Sequence, residues 1–351
     1  MSDVTDRTDP ASLNAYDEVI DVRTPAEFAL DHVPGAINLP VLSNDERARV
    51  GTIYVQDSRM KARRIGAALV ARNIAGHLEG QLRDKTGSYA PLIYCWRGGQ
   101  RSLAMATVLE QVGWRPTRLI GGYMTYRRRV TAALYEGEAP LRLVLLDGYT
   151  GSAKTEILGR LAEHGVQSLD LEGLACHRGS LFGAIAGHSQ PGQKMFESAL
   201  LARLERLDPA LPIVIEAESS KIGQLNLPPV LWKAMANAPR IEVVAPRVAR
   251  TDYLLAAYDD IAADRQAVVA ALSALPGRHG RKQVAAWREQ FERGELTALA
   301  DSLTELHYDP AYERARRGRR TLGVVAMADL NPEEQARAAA SIAQLVAGRA
   351  G

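Results

Sequence analysis

Cys95 lies in Leu92-Ile93-Tyr94-Cys95-Trp96-Arg97-Gly98-Gly99-Gln100-Arg101-Ser102. An apolar run ends on the cysteine, a glycine-rich turn follows, and residues 103–109 read as a helix. A thiol at a strand end, facing a helix N-terminus and two guanidinium groups, should ionise more readily than free cysteine, whose pKa is about 8.5. The thiolate is the nucleophile, so Cys95, Arg97 and Arg101 are the candidate catalytic residues. Gly98, Gly99 and Ser102 are placed to cradle an anion carried by the sulfur. The alternative is a buried small hydrophobe. The strand–turn–helix setting favours chemistry.

A second constellation follows a strand read at residues 141–146. Asp147-Gly148-Tyr149-Thr150-Gly151-Ser152-Ala153-Lys154-Thr155 is nearly G-x4-G-K-[ST], with a helix expected from 156 to about 163. The amides around Gly148, Gly151 and Ser152 would hold phosphate oxygens. Lys154 would neutralise charge, and Thr155 would reach a Mg²⁺ ion. Ala153 stands where the pattern has glycine, and alanine tolerates positive φ poorly. Diphosphate binding is therefore expected ahead of fast nucleotide hydrolysis. A strand at 212–220 ends in Glu216 and Glu218, which would support a diphosphate or a metal ion; solvated strand-end acids fit equally well. Arg178 and Lys194, in polar stretches between helices, are the best additional anion ligands. Cys176 has no partner spacing for a metal or a disulfide and reads as structural.

The elements that must position Cys95 carry a resemblance. Asp21-Val22-Arg23-Thr24-Pro25-Ala26-Glu27-Phe28 follows a short strand at 18–20, and Asp31-His32-Val33-Pro34-Gly35-Ala36-Ile37-Asn38-Leu39-Pro40 comes next. With the cysteine loop and the later Leu119-Ile120-Gly121-Gly122, this segment resembles a rhodanese domain. In that family the cysteine carries a persulfide held by the loop amides. The usual loop is C-x-x-G-x-R-[ST]; here it is one residue longer, which suits a larger cargo than thiosulfate sulfur. Asp21, Arg23 and Glu27 read as structural, and Asp31 and His32 as turn residues.

Joined to the phosphate-loop part, and with CWRGG-x-RS, HRGS, QP-x-QK-x-FE and GY-x-x-YR as they stand here, the chain resembles the tRNA 2-selenouridine synthase family. The resemblance implies an α/β protein. Its N-terminal rhodanese-like domain would span 1–134. A P-loop NTPase-like parallel-sheet domain with extra C-terminal helices would span 140–351. It implies a transferase that replaces the sulfur of a 5-substituted 2-thiouridine at the tRNA wobble position with selenium from selenophosphate. An S-geranylated intermediate would be made from geranyl diphosphate. Mg²⁺ would assist at the phosphate loop. The tRNA anticodon arm is the expected partner, with the selenophosphate-producing enzyme as a second. Two rivals remain: a rhodanese-type sulfurtransferase with a nucleotide-binding domain, and an ATP-gated adaptor for RNA or protein.

The 351 residues suffice for two domains, and a net charge of +2 excludes a polycation. The arginines are clustered instead, at Arg127, Arg128 and Arg129, and at Arg314, Arg316, Arg317, Arg319 and Arg320, with a further group at Lys61, Arg63 and Arg64. Such clusters can track a phosphate backbone or form solvated helix faces. Tyr123, Tyr126 and Trp114 could stack on bases, with core packing equally good for Trp114. Two distant cysteines, no apolar leader and no membrane-spanning run fit a reducing cytoplasm. The C-terminal part reads as amphipathic helices with a late strand at 322–327 and a last helix capped by Asn331. Leu181, Phe182 and Ile185 are the candidates for a geranyl pocket, although core packing suits them better.

Overall fold

The computed structural model describes residues 3–137, 141–180, 182–185, 187–257, 265–316 and 320–348. These residues form two compact units. In the first, β1 (Asp3–Thr5), β2 (Val19–Asp21), β3 (Ile37–Asn38), β4 (Leu92–Tyr94) and β5 (Thr117–Leu119) make a parallel sheet ordered β1-β5-β4-β2-β3. The central β4 has no exposed residue, as the continuous apolar run requires of a parallel strand covered on both faces. Ile20, Val22, Leu39, Ile93, Met105 and Leu109 fill the core beside it.

In the second unit, β6 (Leu143–Gly148), β7 (Gln167–Leu169), β8 (Ile213–Glu216), β11 (Arg240–Val244) and β12 (Thr321–Ala326) form a parallel sheet ordered β12-β11-β6-β8-β7. A short antiparallel pair, β9 (Lys221–Ile222) and β10 (Leu225–Asn226), stands apart from it. The chain leaves β6 towards β7 on one side and later returns to β11 on the other. The carboxyl end of β6 is thus the point where strand order reverses, the usual place for a ligand in such sheets. The late strand is β12, and Asn331 caps the Pro332–Ala347 helix by accepting from the Glu333 and Glu334 amides.

Residues Gly192–Glu205 fold with the first unit, so the expected uninterrupted second domain over 140–351 is corrected. The reason is electrostatic as well as apolar. Arg127 pairs with the buried Glu197 and Arg129 with Glu205. Tyr135 donates to the same Glu197 at 2.5 Å.

Candidate functional site

Cys95 follows β4 directly and is 3% exposed. The Gly99 amide donates to its Sγ at 3.2 Å, and the Ser102 hydroxyl lies 3.3 Å from the same sulfur. Gly99 occupies the N-cap of the Gln100–Val112 helix, which has no side-chain cap. Sulfur and helix N-terminus thus share one end of the loop, as the sequence pattern requires. The glycines have a steric purpose. Gly98 has φ +68°, and a Cβ there would meet the Leu119 carbonyl at 2.7 Å. Gly122 has φ +58°, and its Cβ would meet the Cys95 carbonyl at 2.1 Å. The closing turn therefore packs directly beneath the cysteine loop, joined to it by the Tyr123 amide on Cys95 O at 2.8 Å.

The flanking arginines differ. Arg97 is exposed. Arg101 grips Glu27 through two bonds of 2.7 and 3.2 Å, so the expectation of a second free cation beside the thiol is corrected. Burial opposes ionisation of Glu27, but Arg101 outweighs it and holds the carboxyl below its usual range. Glu27 itself closes a capping box with Thr24. Arg101 thereby clamps the cysteine loop to the Pro25–Leu30 helix. Asp21 and Arg23 form a buried pair at 2.6 Å, structural as expected. Asp31 is buried and accepts from the Tyr123 hydroxyl at 2.7 Å. His32 stacks on Phe28.

In the second unit the phosphate loop joins β6 to the Lys154–Arg160 helix. Gly151 has φ +79°, and a Cβ there would strike Leu254 and the Arg250 carbonyl. Ala153 adopts φ +53° and ψ +34°, so the substituted residue sits in the left-handed region that the glycine pattern anticipates. Holding alanine there costs about 1 kcal/mol. Ser152 is buried and donates to the Tyr149 carbonyl at 2.7 Å. Lys154 Nζ donates to Gly148 O at 3.0 Å and Tyr149 O at 3.2 Å, and lies 5.5 Å from the Tyr312 ring centre. Burial opposes the charge on Lys154. Tyr312 and the carboxylates of Glu216, Glu172 and Glu218 outweigh that and hold its pKa above the usual lysine range.

Those three carboxylates approach one another with ligand atoms all within 4.8 Å. Thr155 Oγ1 donates to Glu216 at 2.7 Å. Burial and repulsion from neighbouring carboxylates push Glu216 up to about 7 and Glu172 up to about 9, and burial alone raises Glu218 against the pull of Lys154. Glu216 Oε2 is buried with no hydrogen-bond partner. An all-oxygen donor set with one unanswered buried oxygen fits a hard divalent cation. Gly179, at φ +66°, lets the backbone pass these acids, because a Cβ would lie 2.4 Å from Glu172 Oε1.

A cavity of about 780 Å³ gathers Gly151, Ser152, Lys154, Thr155, Glu216, Glu218 and Arg178. It adds Glu172, Tyr253, Leu254 and Tyr312, which sequence reasoning missed. Glu172 had a local signal in the polar segment around Asp170. The others sit far along the chain, with no motif to connect them to the loop.

The remaining candidates fall elsewhere. Lys194 is exposed on the Gln193–Leu204 helix, in the first unit. Arg127 and Arg129 are engaged by Glu197 and Glu205, correcting their assignment to an RNA-binding face. Arg128 is exposed, bonded to Met124 O and Thr125 Oγ1. Tyr123 and Tyr126 are buried, and Trp114 packs edge-on to Tyr89 in the core, so none of these rings offers a base platform. Arg63, Arg64 and Lys61 are exposed. Arg320 is exposed; the side chains of Arg314 and Arg316, and all of Arg317 and Arg319, lie outside the described residues, as does Leu181. Phe182 packs on the cluster around Trp287, as core packing predicts. Cys176 ends the Leu171–Ala175 helix in a left-handed conformation, a structural position. No helix among the described residues is long and apolar enough to cross a membrane.

Comparison with known proteins finds a match in each half of the chain. Residues 8–129 match the model of the rhodanese-like domain, and residues 141–292 match that of the tRNA 2-selenouridine synthase AAA domain. Three similar relatives are all named tRNA 2-selenouridine synthase. That of Aeromonas salmonicida (strain A449) is 37% identical over 67% of this chain and 63% of its own length. That of Hahella chejuensis (strain KCTC 2396) is 38% identical over 64% and 59%. The alignments thus span less than two thirds of these two relatives. That of Cupriavidus pinatubonensis (strain JMP 134 / LMG 1197) is 32% identical over 87% of this chain and 90% of its own length. Two sites in one chain, both domain models and this near-full-length relative lead to one conclusion: the chain belongs to the tRNA 2-selenouridine synthase family.

Proposed function

We propose that this chain is a transferase that converts a 5-substituted 2-thiouridine at the tRNA wobble position to 2-selenouridine. The observation that carries the reading is the phosphate loop with a half-buried lysine, lining a cavity it shares with three carboxylates. Such a site holds a diphosphate and its counter-ion without needing to hydrolyse anything.

In this reading the thiocarbonyl sulfur of the base attacks C1 of geranyl diphosphate. A C–S bond forms, the C–O bond breaks, and the electron pair leaves on diphosphate. The base loses its N3 proton. Lys154 and the amides around Gly151 and Ser152 stabilise the departing charge where it develops. Arg178, also on the cavity, adds a further positive charge. Glu172, Glu216 and Glu218, with Thr155, would hold Mg²⁺, which when bound neutralises diphosphate charge.

Alkylation makes sulfur a good leaving group. Selenium from selenophosphate then adds at C2, geranylthiol is expelled, and water cleaves the P–Se bond to give phosphate. The Cys95 loop receives the selenium donor: the Gly99 amide and the Ser102 hydroxyl both lie at the Cys95 sulfur, and the thiol orients selenophosphate towards the base without a bond to selenium. Arg97 is placed to steer the anion, while Arg101 holds the loop in shape. The anticodon arm of tRNA is the substrate, Arg320 and Arg128 are exposed cations available to it, and an enzyme that makes selenophosphate is the natural supplier. The reaction belongs in a reducing cytoplasm, where selenide and thiolate persist.

The test is incubation of the purified protein with 2-thiouridine tRNA, geranyl diphosphate and selenophosphate, followed by mass spectrometry of the nucleosides. The expected products are 2-selenouridine, and an S-geranyl species when selenophosphate is withheld. Unchanged nucleosides, with a folded protein and competent tRNA, would favour a sulfurtransferase instead.

A further inference from the structure

The cavity at the phosphate loop has a second, apolar half. The Arg247–Ala257 helix sends Arg250, Tyr253, Leu254 and Ala257 to one face, at the i, i+3, i+4, i+7 spacing. Of these, Tyr253, Leu254 and Ala257 line the cavity. A second segment, entering the Asp309–Arg316 helix, contributes Tyr308, Ala311 and Tyr312 at i, i+3, i+4. Both faces are fixed against the phosphate loop. Arg250 donates to the Thr150 carbonyl at 3.2 Å and grips Asp309 with two bonds of 2.9 and 2.8 Å. Leu254 lies so close to Gly151 that no Cβ fits between them. Tyr312 stands over Lys154.

A phosphate cradle thus opens onto a wall of three tyrosines, one leucine and two alanines. Among the described residues, segments 253–257 and 308–312 bring no lysine, arginine, aspartate or glutamate to the cavity, whose lining also includes Arg278 and His307. A polar head ending in an apolar tail matches both halves, and the alanines are the positions where the wall leaves room.

We infer that this wall is the subsite for the hydrocarbon chain of a prenyl diphosphate, and that Ala257 and Ala311 determine which chain is accepted. The inference rests on the reading that the loop binds geranyl diphosphate. Both wall segments that flank the chain lie beyond the phosphate loop in sequence, and Ala311 and Tyr312 lie beyond the matched AAA region, which ends at residue 292.

The experiment measures binding of geranyl diphosphate, inorganic pyrophosphate and ADP to the full chain in magnesium buffer, by calorimetry. It uses the wild-type protein and the separate variants Ala311→Phe and Ala257→Leu. Geranyl diphosphate should bind the wild type at least about tenfold tighter than pyrophosphate, because chain burial adds affinity. Each variant should lose most of that advantage while its pyrophosphate affinity stays within about twofold, which also reports an intact phosphate loop. An advantage retained in both variants would place the chain elsewhere and overturn the inference while leaving the proposed function standing. No advantage in the wild type, despite pyrophosphate binding, would defeat the proposed function itself, and the inference with it. If ADP instead gains over pyrophosphate and Ala311→Phe abolishes that gain, the wall takes a nucleobase and the inference is wrong.

Discussion

The two units each set a glycine-bearing loop at a helix N-terminus, but they manage charge in opposite ways. Around Cys95 an amide donates to the sulfur, a hydroxyl lies beside it, and one loop arginine, Arg101, is paired with Glu27. At the phosphate loop, a lysine and three carboxylates share one cavity; the carboxylates hold the lysine pKa up, while the lysine pulls theirs down against the stronger effect of burial. The first loop is shaped by glycines where backbone meets backbone. The second accepts an alanine in the left-handed region. The first site is quiet scaffolding around one reactive atom; the second stores electrostatic and backbone strain that a charged ligand and its counter-ion would relieve.

The largest expected effect follows from the strained site. Lys154→Ala should slow S-geranyl formation by about 10²- to 10³-fold, in line with removal of one donor from a developing oxyanion. Selenation of tRNA that is already geranylated should continue. Equal loss of both steps, measured by nucleoside mass spectrometry, would dissolve the contrast between the sites.

Arg127→Ala tests the scaffolding side. It leaves Glu197, which is 1% exposed, without its cation. Breaking a buried pair from one side should destabilise by roughly 3 kcal/mol in chemical denaturation. A change below about 0.5 kcal/mol would show that the Arg127–Glu197 pair does not hold residues 192–205 in place.

Glu216→Gln probes charge storage. A carboxyl raised to about 7 from its ordinary 4.5 binds more protons folded than unfolded in between. Stability contributed at low pH is therefore lost as pH rises through that window and stays lost above it. The glutamine variant escapes this loss. It should be more stable than wild type at pH 8, by roughly 1–3 kcal/mol, with the difference shrinking towards pH 4.5. A pH-independent difference in urea midpoints would contradict the assignment.

The smallest effect belongs to Ala153→Gly. Relief of left-handed alanine and the extra unfolded-state freedom of glycine oppose each other, leaving a gain of at most about 1 kcal/mol. A loss of stability would mean that the methyl group packs better than its backbone strains.

Much of both sites was legible because each is compressed into one strand–turn–helix. Cys95, Gly98, Gly99 and Ser102 are near neighbours, and so are Gly148, Gly151, Lys154 and Thr155. Backbone geometry over so short a stretch leaves few ways to arrange them. The parallel sheets were legible from continuous apolar runs such as 92–94 and 143–146. What was hidden depends on tertiary closure. Glu27 reaches Arg101 across the first unit, and Tyr312 and Arg250 reach the phosphate loop from distant helices. The Gly192–Glu205 segment crosses to the other unit because of Glu197, a charge whose partner no spacing rule reveals. Arg127 and Arg129 looked like an RNA-binding patch for the same reason: a run of arginines does not announce which of its members already have carboxylates.

In the proposed reaction the two units divide the work. This division is tested most directly by giving Cys95→Ala protein 2-thiouridine tRNA, geranyl diphosphate and selenophosphate, and quantifying both nucleosides over time. S-geranyl-2-thiouridine should form at close to the wild-type rate and accumulate, with 2-selenouridine absent. Normal 2-selenouridine formation, or loss of the geranylated nucleoside together with the selenated one, would contradict that division.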